Sequence, residues 1–119
     1  NKATNIDCKV NVKELTESIE RTALLINEKL KMPIRANFEK DKVMLNCKTS
    51  QGIVSDEVKC QTIGGELEIG FSDKFMTDAL KACETESIYI RLSSNLSPIV
   101  LEPLDSKKFK FIVLPVRLK

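Results

Sequence analysis

A short β-prone run followed by an amphipathic helical run occurs twice along this chain, at residues 6–26 and again at residues 67–83. In each copy a polar residue, Asn11 or Ser72, stands where the alternation of a strand gives way to the spacing of a helix. An internal repeat of this size indicates two halves built on one plan. We therefore predict a pseudo-symmetric sheet with two helices side by side on one face.

Each predicted helix carries one apolar stripe. Asn11 is followed at the third position by Glu14, which is the spacing of a capping box at a helix start. The first stripe consists of Val12, Leu15, Ile19, Ala23 and Ile26. The second consists of Phe75, Met76, Ala79, Leu80 and Cys83. Residues at helical spacing share a face, so both stripes are predicted to pack on the sheet.

The remaining strands complete two similar halves. They are predicted at residues 34–38, 43–47 and 53–62 and, after the second helix, at residues 87–92, 99–102 and 109–113. Gly64 and Gly65 separate the halves in a break too short to link separate domains. The fold class is α+β, with two βαβββ-type repeats that form an antiparallel sheet, and residues 1–119 are expected to make one domain.

The charge balance is nearly neutral. The chain has 19 basic and 17 acidic residues and a formal net charge of +2, and a strong nucleic-acid-binding module normally shows a larger basic excess. Lys74 and Lys81 are seven residues apart and share the side of the second helix opposite its stripe, and Arg21 lies off the stripe of the first. From the residues alone, these are solvated helix faces.

The cysteine spacing and the lack of histidine limit the kinds of metal and catalytic site that the chain can form. Cys8, Cys47, Cys60 and Cys83 contain no Cys-x-x-Cys pair and the chain has no histidine, which excludes most zinc-site patterns and any histidine-dependent catalysis. No metal or cofactor is expected. The thiols are interpreted as reduced and mostly buried in a cytosolic protein, with a disulfide as the alternative. No secretory signal or membrane-spanning apolar run is visible.

Two apolar segments of the sequence are not accounted for by the predicted core. Leu24 and Leu25 lie on opposite sides of the first stripe, so at least one is expected to point away from the core. Such a leucine is either covered by a following loop or exposed for an interface. Residues 112–118 place five apolar residues and a proline where a chain end is normally polar. Part of this run is predicted to be a closing strand of the sheet.

Several segments in register carry a resemblance to a known family. They are residues 21–29, 67–72, 75–82, 94–99 and 114–118. Together they resemble the last domain of the bacterial sliding clamp, the β subunit of DNA polymerase III. The resemblance covers nearly the whole chain and implies the DNA-clamp fold. It further implies a processivity factor whose full-length homodimeric ring encircles double-stranded DNA without reading its sequence, in the cytoplasm at the nucleoid.

The resemblance also assigns three surfaces. A cleft for short peptide motifs of the DNA polymerase III alpha subunit, the clamp loader and other partners would be formed by Ser72, Phe75, Leu96, Pro98, Ile112, Leu114, Pro115, Val116 and Arg117. The dimer interface would include Leu24 and Leu25, with Asp56 and Glu57 on an open strand edge. The DNA-facing residues would be Arg21, Lys74 and Lys81.

This chain departs from the family pattern at two positions of the predicted cleft. Phe75 stands where many relatives carry tyrosine, and Pro98 removes a possible backbone donor, so the preferred peptide motif is expected to differ. Acidic residues also share the helix faces with the lysines. Contact with DNA is therefore expected to be loose rather than tight.

Two alternatives to a clamp domain stay open at this point. One is a free-standing peptide-binding module that lacks the rest of the ring. The other is a small enzyme with Cys83 or Cys60 as nucleophile, although Cys83 is predicted at a helix C-terminus, where the dipole raises a thiol pKa. We expect no catalysis, and we expect the chain to be part of a longer protein because it begins abruptly at Asn1.

Overall fold

The computed structural model describes residues 5–26, 32–104 and 110–118. The first half contains strand β1 (Ile6–Asn11), helix α1 (Val12–Thr22) with a single 3-10 turn (Ala23–Leu25), and strands β2 (Ile34–Phe38), β3 (Lys42–Thr49) and β4 (Gly52–Ile63). The second contains β5 (Leu67–Phe71), α2 (Asp73–Ala82), β6 (Ser87–Leu92), β7 (Ile99–Pro103) and β8 (Phe111–Val113). The two predicted βαβββ halves are confirmed. Phe109, the predicted start of the last strand, lies outside the described residues.

The strands form one antiparallel sheet in the order β5-β2-β3-β4-β1-β6-β7-β8. The first strand of each half pairs with a strand of the other half. Strand β1 of the first half pairs with β6, and strand β5 of the second half pairs with β2. Strand β4 joins the halves: residues 52–59 pair with β3, and residues 60–63 pair with β1. This exchange of first strands produces the pseudo-symmetry that the repeat predicts.

The helices begin where their capping residues predict. The Asn11 side chain accepts a hydrogen bond from the Glu14 N–H at 2.8 Å, and the Ser72 hydroxyl accepts one from the Phe75 N–H at 3.4 Å. The first helix was predicted to continue to Ile26, but its α-helical part ends at Thr22. The Ile26 N–H bonds to the Ala23 carbonyl at 2.9 Å, the three-residue spacing of a 3-10 turn.

The core lies between the sheet and the two neighbouring helices. Leu15 and Ile19 of α1 are buried, as are Met76, Leu80 and Cys83 at α2. The other residues of the first stripe, Val12, Ala23 and Ile26, are partly buried against this core, as is Ala79 of the second.

Phe75 was wrongly placed in the buried stripe of α2, because 67% of it is exposed. The residues Met76 and Leu80, four apart, define the line of the helix that faces the sheet. Phe75 precedes Met76 and is turned about 100° away from that line. Its ring therefore points out of the core at the start of the helix.

No helix in the described part of the chain is long and apolar enough to cross a lipid bilayer.

Candidate functional site

Five large apolar side chains of the predicted cleft are exposed. The exposed fractions are 67% for Phe75, 59% for Leu96, 64% for Ile112, 67% for Leu114 and 37% for Val116. Exposed apolar side chains mark an interaction site when they form one contiguous patch. We call these five residues the apolar cleft residues.

The fold brings the segments that carry these residues towards one another. Helix α2, which begins beside Phe75, packs against β8, which contains Ile112. Strand β8 pairs with β7, and Ile99 lies opposite Val113 at the end of this ladder. Pro98, which is exposed, directly precedes Ile99, and Leu114 directly follows Val113. The loop that holds Leu96 and the segment that begins at Leu114 therefore leave this ladder at the same end.

The loop between β6 and β7 is shaped by its serines. The Ser94 and Ser97 hydroxyls are 2.8 Å apart, and the Leu96 N–H donates to the Ser94 hydroxyl at 3.2 Å. Side-chain to backbone bonds of this kind stabilise tight turns. The turn presents Leu96 outward, so its exposure follows from the local sequence.

The segment formed by residues 114–118 returns to the opposite edge of the sheet. The Val116 N–H donates to the Gly70 carbonyl of β5 at 2.8 Å, which forms an isolated antiparallel bridge. Pro115 is half-buried and Arg117 is exposed. Because Gly70 is two residues before Ser72, this bridge brings Val116 towards the start of α2.

Ser72 is half-buried, and its hydroxyl oxygen already caps α2 through the Phe75 N–H. A hydroxyl that accepts one hydrogen bond can still donate its own proton. Ser72 thus places a polar group at the start of α2, three residues before the exposed Phe75.

The predicted interface residues occupy a second surface. Leu24 is 76% exposed on the 3-10 turn after α1, as the helical wheel predicts for at least one leucine of the pair. The side chain of Leu25 lies outside the described residues.

Residues 52–59 of β4 pair with β3 on one side, and no described strand pairs with them on the other. Asp56 and the exposed Glu57 are on this stretch.

Asp56 and Arg21 were predicted on different surfaces, but the structure joins them. One carboxylate oxygen of Asp56 lies 2.8 Å from Arg21 Nε and 2.7 Å from Arg21 Nη2, and it accepts a bond from the buried Ser18 hydroxyl at 2.9 Å. Partial burial alone would raise the pKa of Asp56, but the hydrogen bonds from Ser18 and Arg21 together hold that pKa below its usual value. Asp56 thus connects α1 to β4. No local pattern in the sequence predicts this contact, because it depends on the packing of distant residues.

The two predicted DNA-facing lysines are exposed on α2. Lys74 and Lys81 lie on the solvent side of the helix, and the acidic Asp78 is exposed between them. This face therefore has mixed charge, in keeping with the small net charge of the chain.

The comparison with known proteins gives these surfaces a family context. Residues 2–117 match the family model described as DNA polymerase III beta subunit, C-terminal domain. The chain belongs to this family. The segments that carry the resemblance are spread over the chain, and the match extends over nearly all of it.

Individual relatives agree with the family assignment. The beta sliding clamp of Synechococcus elongatus is 32% identical over 118 residues, which are 97% of this chain and 31% of that protein. The DNA polymerase III beta subunit of Thermotoga maritima has a TM-score of 0.92 and 32% identity, with 100% of this chain and 32% of that one covered. The Bacillus subtilis sliding clamp has a TM-score of 0.91 and 25% identity, with the same coverage. The chain therefore spans about a third of the length of these clamp proteins.

A charged cluster on this clamp-family fold was not predicted from the sequence. Arg91 of β6 donates to Glu102 at 2.8 Å, lies 3.0 Å from Asp7, and stacks 4.8 Å from the ring centre of Tyr89. Asp7 and Arg91 are directly opposite in the β1 and β6 ladder. Opposite charges at paired positions would have revealed the cluster, but only once the strand register was known.

The cysteines differ in environment. All four are free, and Cys8, Cys47 and Cys83 are buried. Burial raises the pKa of the Cys83 thiol, which does not suit a nucleophile. Hydrogen bonds from the Cys8 thiol and the Thr62 hydroxyl lower the pKa of Cys60 to about 7. Cys60 lines a cavity of about 290 Å³ together with Lys9 and Lys59.

Proposed function

We propose that this chain is the C-terminal domain of a sliding clamp. In this proposal the full-length protein is a homodimeric ring that encircles duplex DNA and holds DNA polymerase III on its template. The domain itself catalyses nothing and offers a docking surface for partners. Membership of the DNA polymerase III beta subunit family supports the role, and residues 1–119 are proposed to act as one domain within a longer protein.

The observation that carries the proposal is the exposure of the five apolar cleft residues. They come from three separate segments: the start of α2, the loop between β6 and β7, and residues 112–116. A surface with several apolar contacts and one polar group suits an extended peptide with a few hydrophobic side chains and a polar residue that fixes its register. Ser72 can supply that polar contact, and the exposed Arg117 is a positive group on the adjoining segment.

The proposed partners follow from this surface and from the family. Peptide motifs of the polymerase alpha subunit, the clamp loader and other replication and repair proteins would bind in turn at the same cleft. Because Phe75 has no phenolic hydroxyl, its contribution to peptide binding is purely apolar. The polar contact that fixes the register of the peptide would therefore come from Ser72 and not from residue 75.

For DNA we propose loose, sequence-independent contact through the helix face that bears Lys74 and Lys81. Exposed lysines attract phosphates by charge alone, and added salt weakens that attraction. The acidic Asp78 between them reduces it further. The ring, closed through the surface around Leu24, would keep the protein on DNA in the cytoplasm at the nucleoid.

A titration followed by nuclear magnetic resonance tests the docking role. A peptide with a glutamine and a leucine-phenylalanine pair is added to the folded domain, and a peptide of the same composition in scrambled order is the control. We expect amide shifts concentrated at residues 72–76, 94–98 and 112–117 with the first peptide. Deletion of residues 116–119 should abolish these shifts and leave the α2 signals otherwise unchanged, because the deletion removes a wall of the cleft without touching the core.

Two results would contradict this role. The shifts could fall on another surface, for example around Leu24 and the free stretch of β4. Alternatively, the shortened domain could bind the peptide as well as the intact one.

A further inference from the structure

Gly70 is buried although its position is on the outer face of β5. Its neighbours Ile69 and Phe71 are buried in the core, so Gly70, between them, is directed to the other side of the sheet. Glu68, two residues earlier on this outer face, is exposed. Residues 116–118 cover Gly70, because the Val116 N–H bonds to its carbonyl and the Leu118 side chain lies against it.

There is no room for a side chain at this position. A Cβ atom on Gly70 would lie 2.6 Å from Leu118 Cδ2 and 2.7 Å from the Val116 carbonyl oxygen. The leucine end is flexible and can rotate away. The carbonyl oxygen belongs to the backbone, so a methyl group at Gly70 would displace the segment itself.

The backbone conformation does not by itself require glycine at position 70. The other three glycines, Gly52, Gly64 and Gly65, have positive φ angles, whereas Gly70 does not. Glycine within a strand often marks a site where another backbone approaches closely. The close approach of residues 116–118 is therefore the physical reason for glycine here.

We propose that Gly70 is a positioning residue for the peptide cleft. Its missing side chain lets residues 116–118 dock on β5, and this docking fixes Val116, a wall of the cleft, before a peptide arrives. The inference rests on the proposed docking function and deepens it. An anchored wall loses less conformational freedom on binding than a frayed one, so the docked segment raises affinity by pre-organisation.

The test compares Gly70→Ala with Glu68→Ala, a control on the same strand and face whose side chain forms an exposed ion pair with Arg35. Three quantities are measured: hydrogen exchange of the Val116 N–H, the dissociation rate of the glutamine and leucine-phenylalanine peptide, and the unfolding temperature. For Gly70→Ala we expect loss of Val116 protection and an increase in dissociation rate of about tenfold or more. The unfolding temperature should change little, because the displaced segment lies outside the core.

A second variant removes the hydrogen bond without adding a side chain. Replacing the amide before Val116 by an ester, through chemical ligation of residues 114–119, keeps the isopropyl group but removes the N–H that donates to Gly70. It should also accelerate peptide dissociation, and it covers the case in which Gly70→Ala does not fold. If either folded variant frees the segment but binds the peptide with unchanged affinity, the positioning role is wrong. If the unmodified domain does not bind the peptide at all, the docking function has failed, while the hydrogen-exchange result still reports whether Gly70 anchors the segment.

Discussion

Asp56→Ala is expected to weaken the attachment of α1 to β4. The substitution removes the acceptor of the Ser18 hydroxyl, which is fully buried, and the partner of Arg21, whose side chain is 58% exposed. A buried hydroxyl left without a partner costs about 1–3 kcal/mol. An exposed ion pair contributes only about 0–1 kcal/mol. We therefore expect a loss of about 1–3 kcal/mol, most of it from Ser18.

Urea unfolding followed by circular dichroism measures this loss, with three further variants for comparison. Asp56→Asn keeps a carbonyl acceptor for Ser18 and should cost less than Asp56→Ala. Arg21→Ala should cost less than about 1 kcal/mol. In a Ser18→Ala background the cost of Asp56→Ala should fall by about 1 kcal/mol, because the hydroxyl is no longer there to be left unpaired. Equal costs of Asp56→Ala in both backgrounds would show that the unpaired Ser18 hydroxyl is not the source of the loss.

The pH dependence of the same contact has a defined sign. The folded pKa of Asp56 is lowered, so its ionised form stabilises the protein above the unfolded-state value of about 3.9. That contribution is lost as the pH falls through the lower folded value. The difference in unfolding free energy between the unmodified chain and Asp56→Asn should therefore be largest near neutral pH and shrink below about pH 4. A difference that grows in acid would contradict the assigned hydrogen bonds.

Three further predictions concern other surfaces. Replacing Lys74 and Lys81 by Glu should leave the unfolding temperature nearly unchanged but shorten the time that the closed full-length ring stays on circular DNA, most clearly at low salt. A base-specific footprint of the isolated domain would contradict loose, sequence-independent contact. Leu24→Ala should change the stability of the isolated chain by less than about 0.5 kcal/mol because the side chain is exposed. In the full-length protein the same substitution should shift sedimentation towards monomers. A compact, tight dimer of the isolated chain through this surface would argue against a head-to-tail ring. Cys60 should be alkylated by iodoacetamide with a rate that is half-maximal near pH 7, and Cys8→Ala should move this midpoint to higher pH; an unmoved midpoint would show that the Cys8 hydrogen bond is not the cause.

Local patterns were sufficient to predict most of the fold. Strands β2 and β6 have the bounds that alternation predicts, because every second residue in each is buried and polar or turn residues flank the strand on both sides. The starts of both helices follow from Asn11 and Ser72 for the same local reason. The predicted end of α1 at Ile26 lies beyond the observed end at Thr22, because hydrophobic spacing does not distinguish an α-helical turn from a 3-10 turn.

Long-range contacts could not be predicted in the same way. Arg21 and Asp56 are 35 residues apart, and their contact depends on how α1 lies across β4. The exposure of Phe75 depends on which face of α2 meets the sheet, and an apolar residue beside the stripe fits either position. The cleft residues themselves were assigned by family resemblance, whereas the contact between Gly70 and residues 116–118 was seen only in the structure.

Calorimetric affinities of the glutamine and leucine-phenylalanine peptide for two double variants decide whether the exposed apolar cleft residues form a docking cleft. Phe75→Ala with Leu114→Ala removes two apolar cleft residues, and Ile53→Ala with Ile63→Ala removes two isoleucines of β4 with similar exposure outside the cleft. All four side chains are largely solvent-exposed, so all variants should stay folded. We expect the cleft variant to bind at least about thirtyfold more weakly, a loss of about 2 kcal/mol or more, while the β4 variant binds like the unmodified domain. Equal affinity of the two variants would contradict a docking cleft at this surface.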